Sequence, residues 1–407
     1  MPRLLALCGC WLLAGVGFAA EQTGLAVTGT LPASKLIGIT ADGGITLEVS
    51  GKATAYPPEK LVQWGQFVEP QRGPLVVLAD GSWLVAELIG LNADYCRVDS
   101  RLLGILALPR SLVRGVIFRW PVERAARDRL IDRLLERTTG PDLLLLANGD
   151  ELSGQATAHK FDAEKNEDHL LFTATGVKEA SALPLTKLTA LAFDGALVDA
   201  IPTRGKQLLV GLRDGSQLVV TSASERANRV ELTLACGWKM RIIQADLSDD
   251  IVAWQPLGHG VRYLSDLTTT GYKQIPFLTV AWPYHNDRSD LGGRLRAGGA
   301  RYSKGLGMHS SSRLAYELDG DYRQFAAEIA LDDAAGERGS VIFRVFTNRG
   351  DATWQAAYES PVVRGGDAPR SITVDLAGVK RIALIVDFAE RGDEQDHADW
   401  LNARLLK

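Results

Sequence analysis

The sequence predicts a mainly β protein in two parts. An N-terminal array of small SH3-like β-barrel or hairpin repeats carrying one helix precedes a C-terminal β-sandwich. Three observations predict this: short alternating runs of Val, Leu and Ile, Asp-Gly or Asn-Gly pairs at a regular spacing, and a change of texture near Gly258. Alternation of period two is the signature of half-buried strands, and Asp-Gly or Asn-Gly suits tight hairpins.

In chain order, "MPRLLALCGCWLLAGVGFAAEQ" has a basic Arg3, a short apolar run and small residues at Gly17 to Ala20, which reads as a secretory leader over residues 1–20. The expected location is secreted or periplasmic. If the leader is removed, Cys96 and Cys236 are the remaining thiols, and pairing or separate burial stays open.

The next elements repeat. "LVVLADGSWLVAEL" from Leu75, "LLLLANGDELSGQA" from Leu143 and "LLVGLRDGSQLVVT" from Leu208 are each strand, turn, strand, with the turn at Asp80-Gly81, Asn148-Gly149 or Asp214-Gly215. Each unit closes on a leucine and an apolar strand ending in Phe118, Phe193 or Trp254. A shorter copy precedes them, with its turn at Asp42-Gly43-Gly44, so the units are placed at about 25–68, 73–120, 141–198 and 205–257. Isolated hairpins are marginal in water, so such units must close into small barrels or pack on neighbours. Between the second and third, Ala125, Ala126, Leu130, Leu134 and Leu135 fall at helical spacing, predicting one amphipathic helix over 122–138 that covers a sheet face. Within "AHKFDAEKNEDHL", His159 and His169 sit in what reads as a solvated hairpin loop rather than a metal site. The array is a spacer or a surface for a protein partner.

Size and charge exclude other classes. A chain of 407 residues exceeds one core. With 45 Lys+Arg against 49 Asp+Glu, a net charge of -4 and no lysine-rich run, nucleic acid is not an expected partner. No stretch beyond the leader is continuously apolar over the roughly 20 residues of a membrane-spanning helix. Between Val27 and Trp254 there is no Gly-rich phosphate loop, no pair of catalytic carboxylates with obvious partners and no Gly-x-Ser-x-Gly elbow, and no enzymatic activity is expected of the chain.

From Gly258 to Lys407 glycines, aromatics and short strands alternate. "RYLSDL", "AWPYHNDRSDLGGRLRAGGARYSKGLGMHSSS" and "DHADWLNARL" follow one another in order. With these motifs the segment resembles the NPCBM/NEW2 family, carbohydrate-binding modules attached to glycoside hydrolases of family 98 and to many exported proteins. The resemblance implies a galactose-binding-like β-sandwich, or jelly roll, that binds galactose-type sugars, in some relatives with a structural calcium.

Sugars are recognised by a ring against the apolar side of the pyranose and by fixed polar groups for the hydroxyls. The expected carbohydrate contacts are Trp282, Asp287, Arg288, His309, Asp399 and Trp400. Each has a competing structural role: the two tryptophans as core, Asp287-Arg288 as an internal ion pair, and His309 with Asp399 as a staple between the chain ends. The expected calcium ligands are Asp332, Asp333 and Asp396, drawn from two alternative clusters, Asp332-Asp333 or Asp393, Asp396 and Asp399 in "RGDEQDHAD". A Ser/His catalytic centre at His309-Ser310 is not expected, because adjacent strand residues face opposite sides.

Overall fold

The computed structural model describes residues 21–40, 42–201, 205–226, 229–243, 247–277 and 279–407; the leader read over 1–20 lies outside them. Among the described residues, no helix is long and apolar enough to cross a membrane.

Residues 22–257 fold as four units of one design. Antiparallel strands follow one another in a meander, and the last strand pairs back on the first, which is the connectivity of a small SH3-like barrel. The closing pairs are Leu61–Gly65 on Gln22–Ala26, Val113–Ile117 on Leu75–Leu78, Leu188–Ala192 on Asp142–Leu146 and Ile251–Leu257 on Gln207–Leu212. Gly81, Gly149 and Gly215 take φ of 87°, 93° and 93° in the three predicted turns, conformations that glycine reaches without steric cost. The first unit is not shortened: it has all five strands, and Asp42–Gly44 joins its second strand to its third rather than its first to its second.

The units do not follow chain order in space. The fourth pairs edge to edge with the first, through Ala253 opposite Gly65 and Trp254 opposite Trp64. The second pairs with the third through Val113–Ile117 and Leu188–Ala192. In both junctions a glycine of the closing strand, Gly65 or Gly115, lies where a Cβ would strike the partner's backbone. The second and fourth units meet through their Asp-Gly-Ser turns in a reciprocal exchange. Val219 N donates to Ser82 Oγ at 2.8 Å, and Val85 N donates to Ser216 Oγ at 2.9 Å. The spatial order is therefore first, fourth, second, third.

The helix α1 (Arg124–Glu136) buries Leu130, Ile131 and Leu134 on the sheet shared by the second and third units, as its apolar spacing predicted, and ends four residues before Gly140. It also buries Asp128. His159 and His169 lie on hairpin strands rather than in the intervening loop, and His159 Nε2 meets Asp168 at 2.9 Å. Cys96 and Cys236 are both free thiols, and burial pushes each up to about 12.

Residues 262–406 form two antiparallel sheets packed face to face. One is ordered His285–Asn286, Gly305–His309, His397–Leu406, Gln324–Leu331, Arg370–Asp375; the other is Gly271–Gln274, Ser312–Glu317, Arg381–Phe388, Ser340–Asn348, Gln355–Glu359. Trp400, Phe325, Phe343 and Tyr316 fill the space between them.

The outer face of the first sheet is covered by the array, so every residue of His397–Leu406 is buried. Val62 of the first unit packs with Tyr263, Ala326 and Leu406. Gln255 Nε2 donates to Tyr263 Oη at 3.1 Å and to Asn402 Oδ1 at 3.2 Å. The hairpin Leu295–Ala297/Ala300–Tyr302 reaches into the array, where the Arg301 guanidinium lies 5.3 Å from the Phe67 ring and 5.0 Å from the Trp83 ring. Beside it, Asp128 accepts from Arg296 Nη1 at 2.7 Å and Nη2 at 2.9 Å and from Arg294 N at 2.8 Å. Asp132 accepts from both terminal nitrogens of Arg288, at 2.8 and 2.7 Å. Although burial alone favours the neutral acid, Arg296 and Arg294 hold Asp128 below the usual carboxylate range.

Candidate functional site

The end of the sandwich that carries residues 279–284 gathers the polar and aromatic groups. His309 closes the strand Gly305–His309 and stands directly opposite His397 in the neighbouring strand, a position that brings cross-strand side chains into contact. Their ring centroids are 5.3 Å apart. Asp290 arrives from the loop after Asn286. That loop lies so close to Gly307 that a Cβ there would collide with the backbone of Arg288 to Asp290. The close approach sets Asp290 Oδ2 2.8 Å from His397 Nδ1.

Trp282 roofs this trio. Its ring stacks on His309 at 4.5 Å and 9° and meets His397 edge-on at 5.6 Å. The side chain of Gln274 fixes the loop in between: its Oε1 accepts from Trp282 N at 3.0 Å and its Nε2 donates to Ser310 O at 3.3 Å. Tyr272 Oη donates to Trp282 O at 2.5 Å. Trp282 remains half-buried, while His309, His397 and Asp290 are buried.

The same geometry sets the charge states. Burial holds His309 below the usual histidine range. Its Nδ1 lies 2.8 Å from Ser310 O, and a carbonyl only accepts, so Nδ1 carries the proton and Nε2 the lone pair. For His397 burial opposes protonation, but the hydrogen bond and charge of Asp290 outweigh it and raise the pKa. Asp399 is wholly buried; burial and then the adjacent Asp332 push it far above the carboxylate range, which favours the neutral acid.

Of the predicted contacts, Trp282 and His309 come together. The other four are engaged elsewhere. Arg288 is bound by Asp132 of α1 in the interface between the two parts. Asp287 accepts from Lys304 Nζ at 2.6 Å and Gly305 N at 3.1 Å, fixing the turn. Trp400 is 0% exposed, edge-on to Phe343 at 5.0 Å in the core. Asp399 is paired in strand register with Gly307, so it forms no staple with His309.

The expected calcium ligands do not converge. Asp332 accepts from Ala334 N and Arg296 N, Asp333 from Gly299 N, and Asp396 from Ser310 Oγ and Ser340 N. Burial pushes Asp396 up to about 6. The serines next to His309 turn away from it, Ser310 to Asp396 and Ser311 to Asp387, so neither is placed as a nucleophile beside the imidazole. Asp290, Gln274 and His397 went unnoticed as site residues. The available signal was the adjacency of His397 to the motif acids and the period of two that aligns it with Asp399.

Parts of the chain match known proteins. It is 37% identical over 112 residues to a protein of Renibacterium salmoninarum, by name an endo-alpha-N-acetylgalactosaminidase, covering 28% of this chain and 7% of that one. It is 30% identical over 120 residues to alpha-1,3-galactosidase B of Akkermansia muciniphila, covering 28% of this chain and 14% of that one. Among solved structures, the CBM51 module from Clostridium perfringens GH95 in complex with methyl-galactose aligns with 23% identity and a TM-score of 0.31, over 36% of this chain and 99% of that one. The family model described as the NPCBM/NEW2 domain matches residues 260–406, the span of the sandwich.

Proposed function

We propose that the protein is an exported, non-catalytic glycan-binding protein whose NPCBM/NEW2 domain takes a galactose-type sugar at the sandwich end roofed by Trp282. The observation that carries this reading is a half-buried indole within a carbohydrate-binding family domain. One face of that indole is backed by His309 and its loop is held by Gln274 and Tyr272. A ring held in this way offers a rigid apolar platform at little entropic cost. The two curated relatives are named for galactose and N-acetylgalactosamine, which supports the galactose configuration. The buried acids nearest the roof, Asp290, Asp396 and Asp399, are each 3% exposed or less. A glycosidase instead needs two carboxyls flanking a bound sugar, about 5 or 6.5–9.5 Å apart.

The test is calorimetric titration of the full chain with galactose, N-acetylgalactosamine, glucose and mannose, alongside Trp282→Ala. Binding of the first two and its loss in the variant are expected. No binding to any of the four, or hydrolysis of an aryl galactoside, overturns the reading. A second reading, that the array binds a protein partner, draws on an open groove of about 860 Å³ between the second and third units, lined by Tyr95, Pro109, Arg110, Pro141 and Leu197 among others.

A further inference from the structure

We infer that Asp290, His309 and His397 bind a divalent first-row transition-metal ion beneath Trp282. Each side chain offers one ligand atom, and the three atoms lie within 4.8 Å of one another. In a tetrahedral zinc site with bonds of about 2.1 Å, ligand atoms stand about 3.4 Å apart. The separations in the trio exceed that spacing by at most about 1.4 Å.

Two further features point to a ligand. His309 donates its Nδ1 proton to Ser310 O at 2.8 Å. This is the outer-shell bond that orients a metal-binding imidazole and leaves Nε2 free to coordinate. The Asp290 side chain is 0% exposed, its Oδ2 faces His397, and its Oδ1 has no hydrogen-bond partner. A buried carboxylate oxygen left unpaired is costly, and a bound cation removes that cost. Two imidazoles and one carboxylate suit zinc and its transition-metal neighbours rather than calcium or magnesium, which select oxygen ligands. With three protein ligands a fourth position remains for water or an added ligand, and the stacked Trp282 narrows the way in. This inference stands apart from sugar binding, since metal uptake is measured with no glycan present.

The experiment uses the untagged full chain, stripped with chelator and dialysed against zinc, calcium or magnesium chloride. Bound metal is counted by mass spectrometry, and thermal unfolding is followed in parallel. One zinc per chain is expected, with a higher Tm in zinc and no such rise in calcium or magnesium. His309→Gln and His397→Gln should each weaken zinc binding at least about 100-fold, because loss of a direct ligand exceeds the 10–100-fold loss of an outer-shell partner. A chain with His159 and His169 both changed to Gln should bind as the parent does. If the site variants misfold, the cobalt-substituted parent decides: visible bands of nitrogen and oxygen ligation without a thiolate charge-transfer band support the assignment. No zinc retained by the parent, or full retention by a folded His309→Gln chain, overturns it.

Discussion

Replacing Asp128 by Asn tests the proposition that the array and the sandwich are locked by a buried charge cluster. Four cations, Arg288, Arg294, Arg296 and Arg301, meet three anions, Glu69, Asp128 and Asp132, at this interface. The cluster already has one positive charge in excess. Asp128 is 3% exposed and receives two bonds from Arg296 and one from the Arg294 backbone. An asparagine of the same shape removes the charge and leaves an excess of two. Breaking a buried ion pair on one side costs about 3–5 kcal/mol, a large share of the 5–15 kcal/mol typical of a whole domain. Equilibrium urea unfolding of the full chain, followed separately by fluorescence and by hydrogen exchange at residues 295–302, gives the loss. Two controls bracket it. Arg133→Ala, on the same helix as Asp128, breaks a bridge to Glu151 of the strand Glu151–Asp162, with the two partners 41% and 45% exposed, and should cost no more than about 1 kcal/mol. Adding Arg296→Met to Asp128→Asn should restore part of the loss, because the stranded cation goes too. A loss below about 1 kcal/mol for Asp128→Asn alone would refute the reasoning.

Trp400→Ala should destabilise the sandwich by about 3–5 kcal/mol, as expected for a fully buried indole, read by thermal unfolding; a change near zero would place the ring outside the core. Ser82→Ala and Ser216→Ala should each cost about 1–3 kcal/mol by stranding a backbone N–H at the junction of the second and fourth units, measured as the shift in urea midpoint; unequal costs would show that the exchange is not symmetric in energy. Burial raises the pKa of Glu328 above 4.5, against the opposing hydrogen bond from Asn402. Its contribution to stability is therefore complete below that value and is lost as pH rises through its folded value. Unfolding midpoints measured from about pH 4 to 7 should favour Glu328→Gln increasingly over the parent; parallel curves would contradict the shift.

The parts of the fold governed by local chemistry were legible in the sequence. Asp80-Gly81, Asn148-Gly149 and Asp214-Gly215 announced hairpins because few residue pairs tolerate such turns, and Leu130 and Leu134 announced the buried stripe of α1. What escaped was set by partners distant in the chain. Asp128 and Asp132 looked like solvated charges on a helix, since nothing nearby in sequence signals arginines more than 150 residues away. Arg288 had the character of a sugar ligand for the same reason. In His397–Leu406 both faces are buried, which removes the contrast that alternation depends on. Trp400 and Asp399 therefore could not be sorted into core and rim. Trp282 and His309, which stack on one another, stood out in the sequence because aromatic and imidazole groups are scarce, yet Asp290 was hidden among many acids.

The placement of the fourth unit between the first and second has a consequence for how this chain can change. In a solenoid each repeat touches only its sequence neighbours, so removing one shortens the stack and leaves the rest in register. Here, excising the second unit would take away the only strand pairing that ties the third to the remainder among the described residues, and would leave the Ser216 hydroxyl without its acceptor role toward Val85. Lineages of this protein should therefore lose the first or third barrel, which end the row, more readily than the second or fourth, which each join two others.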